Sequence, residues 1–240
     1  MRRNFESRNI NRSHTSVHST KGENELVTQK LIRWSAIAWL LSALTGIISI
    51  ALVPSDYAEN AVLSSLWTPI HAVLTISYML FLFGLTGFYL VQADKAGRLG
   101  SIGFVLTFFG ALMLTAQVIV ATWILPVIAM QPDAPKTAFE MLDPAGPLPA
   151  FSSVVFAAYL PAGIGLILMG IATMRAGVLP RWAGLLLIIG TVLDLAVLVG
   201  APGELIVKLG DVALDVAKVW IVYALWSYKG ETVAQVKPAM

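Results

Sequence analysis

Six long apolar runs constrain most strongly how this 240-residue chain can fold. Each is close to the roughly 20 helical residues that cross a bilayer core of about 30 Å. Lipid offers no hydrogen-bond partners, so a crossing backbone must satisfy its own N–H and C=O groups, as an α-helix does. The pattern predicts an all-α fold, a polytopic membrane protein with a bundle of six transmembrane helices. The runs are Leu31–Val53, Leu66–Val91, Leu99–Leu125, Pro149–Met174, Trp182–Val199 and Leu205–Trp226.

The composition agrees with a lipid environment. Charged residues make up 12% of the chain, against about 25% in soluble domains. We therefore expect a multi-pass protein of the cytoplasmic membrane, with the lipid bilayer as a partner and no nucleic acid. Cysteine is absent and only one of the three histidines lies in the apolar region, which excludes thiolate metal sites and a bis-histidine haem there. Phosphate-binding and nucleophile motifs are also missing, so we predict no cofactor, no metal and no catalytic residue.

Basic residues alternate between the connections. Both tails and the second and fourth connections are rich in Lys and Arg, whereas the other three connections contain only Lys136 against six acids. Positive residues favour the cytoplasmic side, so both the N-terminus and the C-terminus are expected to be cytoplasmic. We divide the chain into a disordered basic cytoplasmic tail (residues 1–30), a six-helix transmembrane domain (31–228) and a second cytoplasmic tail (229–240).

The sixth apolar run carries five charges at a helical spacing. They alternate four and three residues apart, which on an α-helix places them in a stripe about 80° wide. A charge at the bilayer centre costs about 2.5–3.5 kcal/mol on insertion scales, so the stripe is expected to face protein or water. The alternative of a helix lying on the membrane surface would leave five spans and an external C-terminus, against the charge pattern. The charges are Glu204, Lys208, Asp211, Asp215 and Lys218.

Three polar residues on other predicted helices match the depth of this stripe. His71, Gln117 and Asp194 each lie several residues inside the end that is predicted to face outward. We expect one polar layer in the outer half of the bundle, which Tyr159 could join. Within the membrane as a whole, the carboxyls of Asp194, Asp211 and Asp215 exceed the two ammonium groups of Lys208 and Lys218, so a proton, an external cation or the histidine would have to balance the charge. The candidate ligand- or ion-binding residues are Asp194, Lys208, Asp211, Asp215, Lys218, His71 and Gln117.

These charges support more than one function. Buried ion pairs can simply fix helix packing, whereas intramembrane ionisable groups also mark ion and proton pathways. We favour a non-enzymatic structural or small-ligand-binding membrane subunit, in contact with other membrane subunits or with a second copy of itself. A proton- or ion-coupled secondary transporter and a membrane enzyme that acts on a lipid stay open. The proline-rich connection over 126–148 is expected to be stiff and irregular, either a lid or an ordinary external loop.

Two segments of the chain look alike. Residues 95–113 and 175–193 share a basic–Ala–Gly turn, an apolar run and a late glycine, which either a duplicated helical hairpin or convergent turn chemistry would explain. The stretches LFGLTGFYLVQADKAGRLGSIGFVLTFFG and TMRAGVLPRWAGLLLIIG resemble small multispan bacterial membrane proteins that contain domains of unknown function. The resemblance implies a bacterial cytoplasmic-membrane protein and carries no activity or functional residue across.

Overall fold

The computed structural model describes the backbone of residues 3–56, 58–143, 145–199 and 204–227, and most of the side chains from Leu26 onward. This part of the chain is helical and contains no strand, which confirms the all-α prediction. Short 3-10 turns occupy Ala61–Leu63 and Leu195–Val199. The α-helices are α1 (Arg3–Leu52), α2 (Trp67–Trp123), α3 (Leu125–Ala129), α4 (Ala138–Leu142), α5 (Pro149–Ala176), α6 (Arg181–Asp194) and α7 (Glu204–Ser227).

Three helical segments of the described chain are long and apolar enough to cross a membrane, namely Leu26–Leu52, Trp67–Trp123 and Pro149–Ala176. They agree with the prediction of a membrane protein, while the number of spans and the side on which the termini lie stay predictions. Helix α1 begins at Arg3, so its backbone is helical through much of the segment for which the sequence predicts a disordered tail. Residues 229–240 lie outside the described residues, and the division into domains stays a prediction.

Helix α2 is a hairpin of two arms, residues 67–96 and 98–123. Its 57 residues would extend about 85 Å as one straight helix. Gly97 interrupts it with φ 58° and ψ −160°, a conformation that is open to glycine because it has no Cβ. At the far ends of the arms, Trp67 Nε1 donates a hydrogen bond to the carbonyl oxygen of Ala121 at 2.8 Å. The two arms therefore run antiparallel, side by side.

The turn between α5 and α6 also contains a glycine with a positive φ. Gly177 has φ 64° and follows Arg175 and Ala176, just as Gly97 follows a lysine and an alanine. The two segments that look alike in the sequence thus both reverse the chain at a left-handed glycine.

Six long segments form a closed ring in chain order. Helix α1 packs on the first arm of α2, the second arm on α5, α5 on α6, α6 on α7, and α7 returns to α1. Small residues bring the backbones close together. A Cβ added to Gly110 would lie 2.5 Å from the backbone nitrogen of Ala162, and one added to Gly84 would overlap Trp39. The ring order is a structural result that the sequence did not predict.

The ring has two unlike ends. The turn end carries Gly97 and Gly177, and at the other end the described residues of 53–66 and 124–148 form a cap. Within the cap, Asn60 N donates to Lys136 O at 2.8 Å, and the connection that was expected to be irregular contains α3 and α4. The other described residues of this connection form neither helix nor strand, and a small apolar core holds the cap together. That core comprises Ala61, Val62, Trp67, Ala121, Leu125, Ala138 and Met141.

The interior is solid toward the turn end and hollow toward the cap. Buried apolar side chains from α1, the first arm of α2, α5, α6, α7 and the turn between α5 and α6 fill the turn-end half, and we call them the plug. The plug comprises Ile32, Ala36, Trp39, Leu85, Phe88, Val91, Met169, Leu179, Ala183, Leu187, Ala217, Ile221, Val222 and Leu225.

Candidate functional site

A cavity of about 310 Å³ lies inside the ring, between the plug and the cap. All six long segments contribute to its wall, and Phe139 and Leu142 of α4 reach it from the cap. All of the candidate site residues inferred from the sequence lie on this wall. They are His71 and Gln117 on the two arms of α2, Asp194 on α6, and Lys208, Asp211, Asp215 and Lys218 on α7.

Helix α7 turns its charged stripe into the ring. Asp215 is only 2% exposed, whereas the apolar residues on the opposite face are exposed on the outside. A helix with charges on one face and large apolar side chains on the other buries the charged face against protein when its surroundings are apolar. The side chain of Glu204 lies outside the described residues. The exposed apolar residues are Leu205, Leu209, Val212, Val216 and Val219.

Asp215 and Lys218 form a buried ion pair within α7. Lys218 Nζ donates to Asp215 Oδ1 at 2.7 Å. Asp215 also packs on α1, where a Cβ added to Gly46 would lie 2.8 Å from Oδ2. Lys218 Nζ lies 5.3 Å from the ring centroid of Phe81, which is within the range of a cation–π contact. Asp215 therefore has its own cation, and the pair rests against α1 and the first arm of α2.

Asp194 and Asp211 sit on neighbouring helices. Gly210 packs so tightly on α6 that a Cβ there would lie 2.8 Å from the backbone nitrogen of Asp194. The two carboxyl groups interact with each other and with Lys218 electrostatically. Among the described side chains, neither forms an ion pair within 4 Å. Asp194 and Asp211 therefore form an acidic part of the wall. It lies beside Gly210, where the backbones of α6 and α7 touch.

His71 anchors the cavity wall to the cap. Its ring stacks on Trp67 with centroids 3.9 Å apart, and Nδ1 lies 2.9 Å from the carbonyl oxygen of Trp67. A carbonyl oxygen only accepts, so Nδ1 is the donor, and Nε2 of the neutral ring is left as an acceptor. Gln117 on the second arm of α2 and Tyr159 on α5 also line the cavity.

Some polar residues of the wall were missing from the sequence prediction. Ser42 and Ser49 line the cavity, and both are at most 1% exposed. Ser77 Oγ donates to Ser42 O at 2.8 Å, whereas Ser49 Oγ has no hydrogen-bond partner. The seven-residue spacing of the serines at 35, 42 and 49 places them on one helix face and could have revealed them. Tyr78 follows His71 by seven residues, so the same spacing could have identified it as a residue on the face of His71.

No group of three or more His, Asp or Glu side chains in the described part of the chain is placed to hold a metal ion. The prediction that the protein uses no cofactor stays a prediction. Comparisons with models of protein families, with curated proteins and with solved structures found no match to this chain.

Proposed function

We propose that this chain is a six-span protein of the cytoplasmic membrane whose cavity binds a small amphiphilic molecule. The cavity itself carries the proposal, because polar groups from every segment of the ring converge on a hollow that also has apolar walls. Its volume of about 310 Å³ is at the lower end of the range for small-molecule sites. The apolar part of the wall includes Leu74, Leu114, Phe156, Leu166 and Leu214.

The dimensions of the ring support six spans. Helix α6 and the 3-10 turn that follows it cover residues 181–199, about 31 Å in length, which suits a hydrocarbon core of about 30 Å. Helix α7 has 24 residues, and its outward face is apolar. The tight connections at the turn end are basic, so the positive-inside rule places that end in the cytoplasm and the cap outside. The resemblance to small multispan bacterial membrane proteins fits this arrangement.

The cavity favours binding over a purely structural role for the charges. The Lys218–Asp215 pair fits a packing role, since each partner compensates the other. Asp194 and Asp211 fit it less well, because neither has a cation within 4 Å among the described side chains. The proton- or ion-coupled transporter is the second candidate, favoured by these carboxyls within the bundle. Transport would need a second state in which the plug opens, and a subunit or homo-oligomer role remains compatible with either proposal.

A cavity-filling variant tests the proposal. Ala111 lines the cavity and is 3% exposed, whereas its neighbour Leu112 is 40% exposed on the outside of the ring. We expect a small molecule to co-purify with the wild type and with Leu112→Phe from native membranes, and to be lost from Ala111→Phe, as measured by mass spectrometry of extracts. Leu74→Trp offers a second filling variant in case the first does not fold. Identical extracts from filled and unfilled proteins would overturn the proposal.

A further inference from the structure

More acidic than basic residues line the cavity wall. Its lining includes four aspartates and two lysines. We propose that the ligand is an organic cation, an amine with a compact apolar body, whose ammonium group binds at Asp194 and Asp211. This inference rests on the proposed function and names the ligand class of that same cavity. The charged groups of the wall are Asp56, Asp194, Asp211, Asp215, Lys208 and Lys218.

Asp194 and Asp211 are the carboxyl groups best placed to receive a cation. Asp215 is already paired with Lys218 at 2.7 Å, whereas Asp194 and Asp211 have no ion-pair partner within 4 Å among the described side chains. Their helices touch at Gly210, so both carboxyls lie on the same part of the wall. An ammonium group offers three donors, and two carboxylates provide more than enough acceptors for charge-assisted hydrogen bonds.

A buried hydroxyl supplies an independent indication that a polar ligand occupies the cavity. Ser49 is 1% exposed, lines the cavity, and its Oγ has no hydrogen-bond partner. Buried polar atoms in native proteins are nearly always hydrogen-bonded. Ser49 lies three residues from Gly46, which contacts Asp215, so its hydroxyl is on the wall beside α7. A ligand N–H or a water held by the ligand would supply the missing partner.

The rest of the wall suits a cation with an apolar body. Lys218 shows how an ammonium group is accommodated here, against a carboxylate and 5.3 Å from the ring centroid of Phe81. Tyr78, Phe156 and Tyr159 add further aromatic surface to the cavity, and aromatic faces attract cations. A metal ion fits less well, because the described residues include no group of three His, Asp or Glu that could hold one. An anion fits less well too, because aspartates outnumber lysines on the wall.

Three probes of the same shape and different charge test the inference. The full-length protein in lipid nanodiscs is titrated with 2-phenylethylamine, 2-phenylethanol and phenylacetate at one pH and ionic strength, and binding is followed by calorimetry. We expect the amine to bind at least tenfold more tightly than the alcohol and the acid not to bind. Asp194→Asn and Asp211→Asn should each weaken amine binding at least tenfold. Asp94→Asn, at an exposed position at the turn end, is the matched control and should bind as the wild type does.

The remaining outcomes separate this inference from the proposed function. Equal binding of amine and alcohol that is lost in Ala111→Phe would overturn the cation and leave a small-molecule cavity. The same equal binding retained in Ala111→Phe would overturn both. Absence of amine binding to the wild type would overturn the inference. Asp194→Glu and Asp211→Glu replace the asparagine variants if these do not fold, and should retain the preference for the amine over the alcohol.

Discussion

Lys218 Nζ and Asp215 Oδ1 lie 2.7 Å apart, with side chains that are 13% and 3% exposed, and both residues belong to α7. The pair forms within one helix, so it does not by itself join two helices. The contacts of Asp215 with Gly46 and of Lys218 with Phe81 attach it to the ring. Part of the charged stripe is therefore neutralised locally, and the remaining acidic groups face the cavity.

Removing one partner of this pair should destabilise the fold strongly. Lys218→Met leaves Asp215 buried without its cation, and we expect a loss of about 3–5 kcal/mol in the free energy of unfolding. The double variant Asp215→Asn/Lys218→Met should recover much of it, because no uncompensated charge remains. Lys136→Met is the control, since Lys136 and Glu59 are 3.8 Å apart and 69% and 68% exposed, and such pairs contribute at most about 1 kcal/mol. Denaturant titration in micelles measures all three, and equal effects of Lys218→Met and Lys136→Met would contradict the prediction.

The contact between α2 and α5 should tolerate no added volume at Gly110. A Cβ there meets the backbone of Ala162, which cannot move without shifting the helix. We expect Gly110→Ala to cost about 1–3 kcal/mol through overpacking. Leu112→Ala in the same arm is the control, because Leu112 is 40% exposed and the change adds no volume between the helices. Thermal unfolding compares them, and a Gly110→Ala protein as stable as the wild type would show that the helices are less closely packed than described.

The absence of cysteine allows a direct test of the orientation. Asp133 in the cap and Asp94 at the turn end are both exposed, so Asp133→Cys and Asp94→Cys form a matched pair. A membrane-impermeant maleimide should label Asp133→Cys in intact cells and Asp94→Cys only after permeabilisation, since the basic turn end is expected in the cytoplasm. The reverse labelling pattern would mean that the orientation is opposite to the predicted one. Labelling of both variants in intact cells would rule out a ring that spans the membrane with these two ends on opposite sides.

The cap should open locally when the start of α4 is weakened. Thr137 Oγ1 accepts from Glu140 N at 3.1 Å, and Glu140 Oε2 accepts from Thr137 N. Thr137→Ala removes this N-cap at a cost of about 1 kcal/mol, so amide hydrogen exchange in residues 138–142 should accelerate several-fold while the unfolding midpoint changes little. Ser153→Ala in the first turns of α5 is the control. Unchanged exchange in α4 would mean that apolar packing alone holds the cap.

The residues of the polar wall could be predicted from the sequence where helical spacing decides which face of a helix they occupy. The four-and-three alternation on α7 determines which face is polar, and depth within the apolar runs selects His71, Gln117 and Asp194. Ring closure could not be predicted, because it depends on which small residues meet across helices, as Gly46 meets Asp215. The partner of Lys218 was only partly predictable: Asp215 lies within one helical turn of it on α7, but a sequence does not show whether Asp194 on α6 lies closer. Side-chain rotamers decide between them, and a sequence does not record those.

The contact between Gly46 and Asp215 also bears on how the protein is made. Helix α7 carries at least four charges on its stripe, each of which costs about 2.5–3.5 kcal/mol at the bilayer centre, so it is a poor candidate for insertion on its own. The other five segments precede it in the chain and can present a groove between α1 and α6 that shields those charges from lipid. We expect α7 to enter the membrane only against that groove, so that biogenesis of the ring ends with its most polar helix.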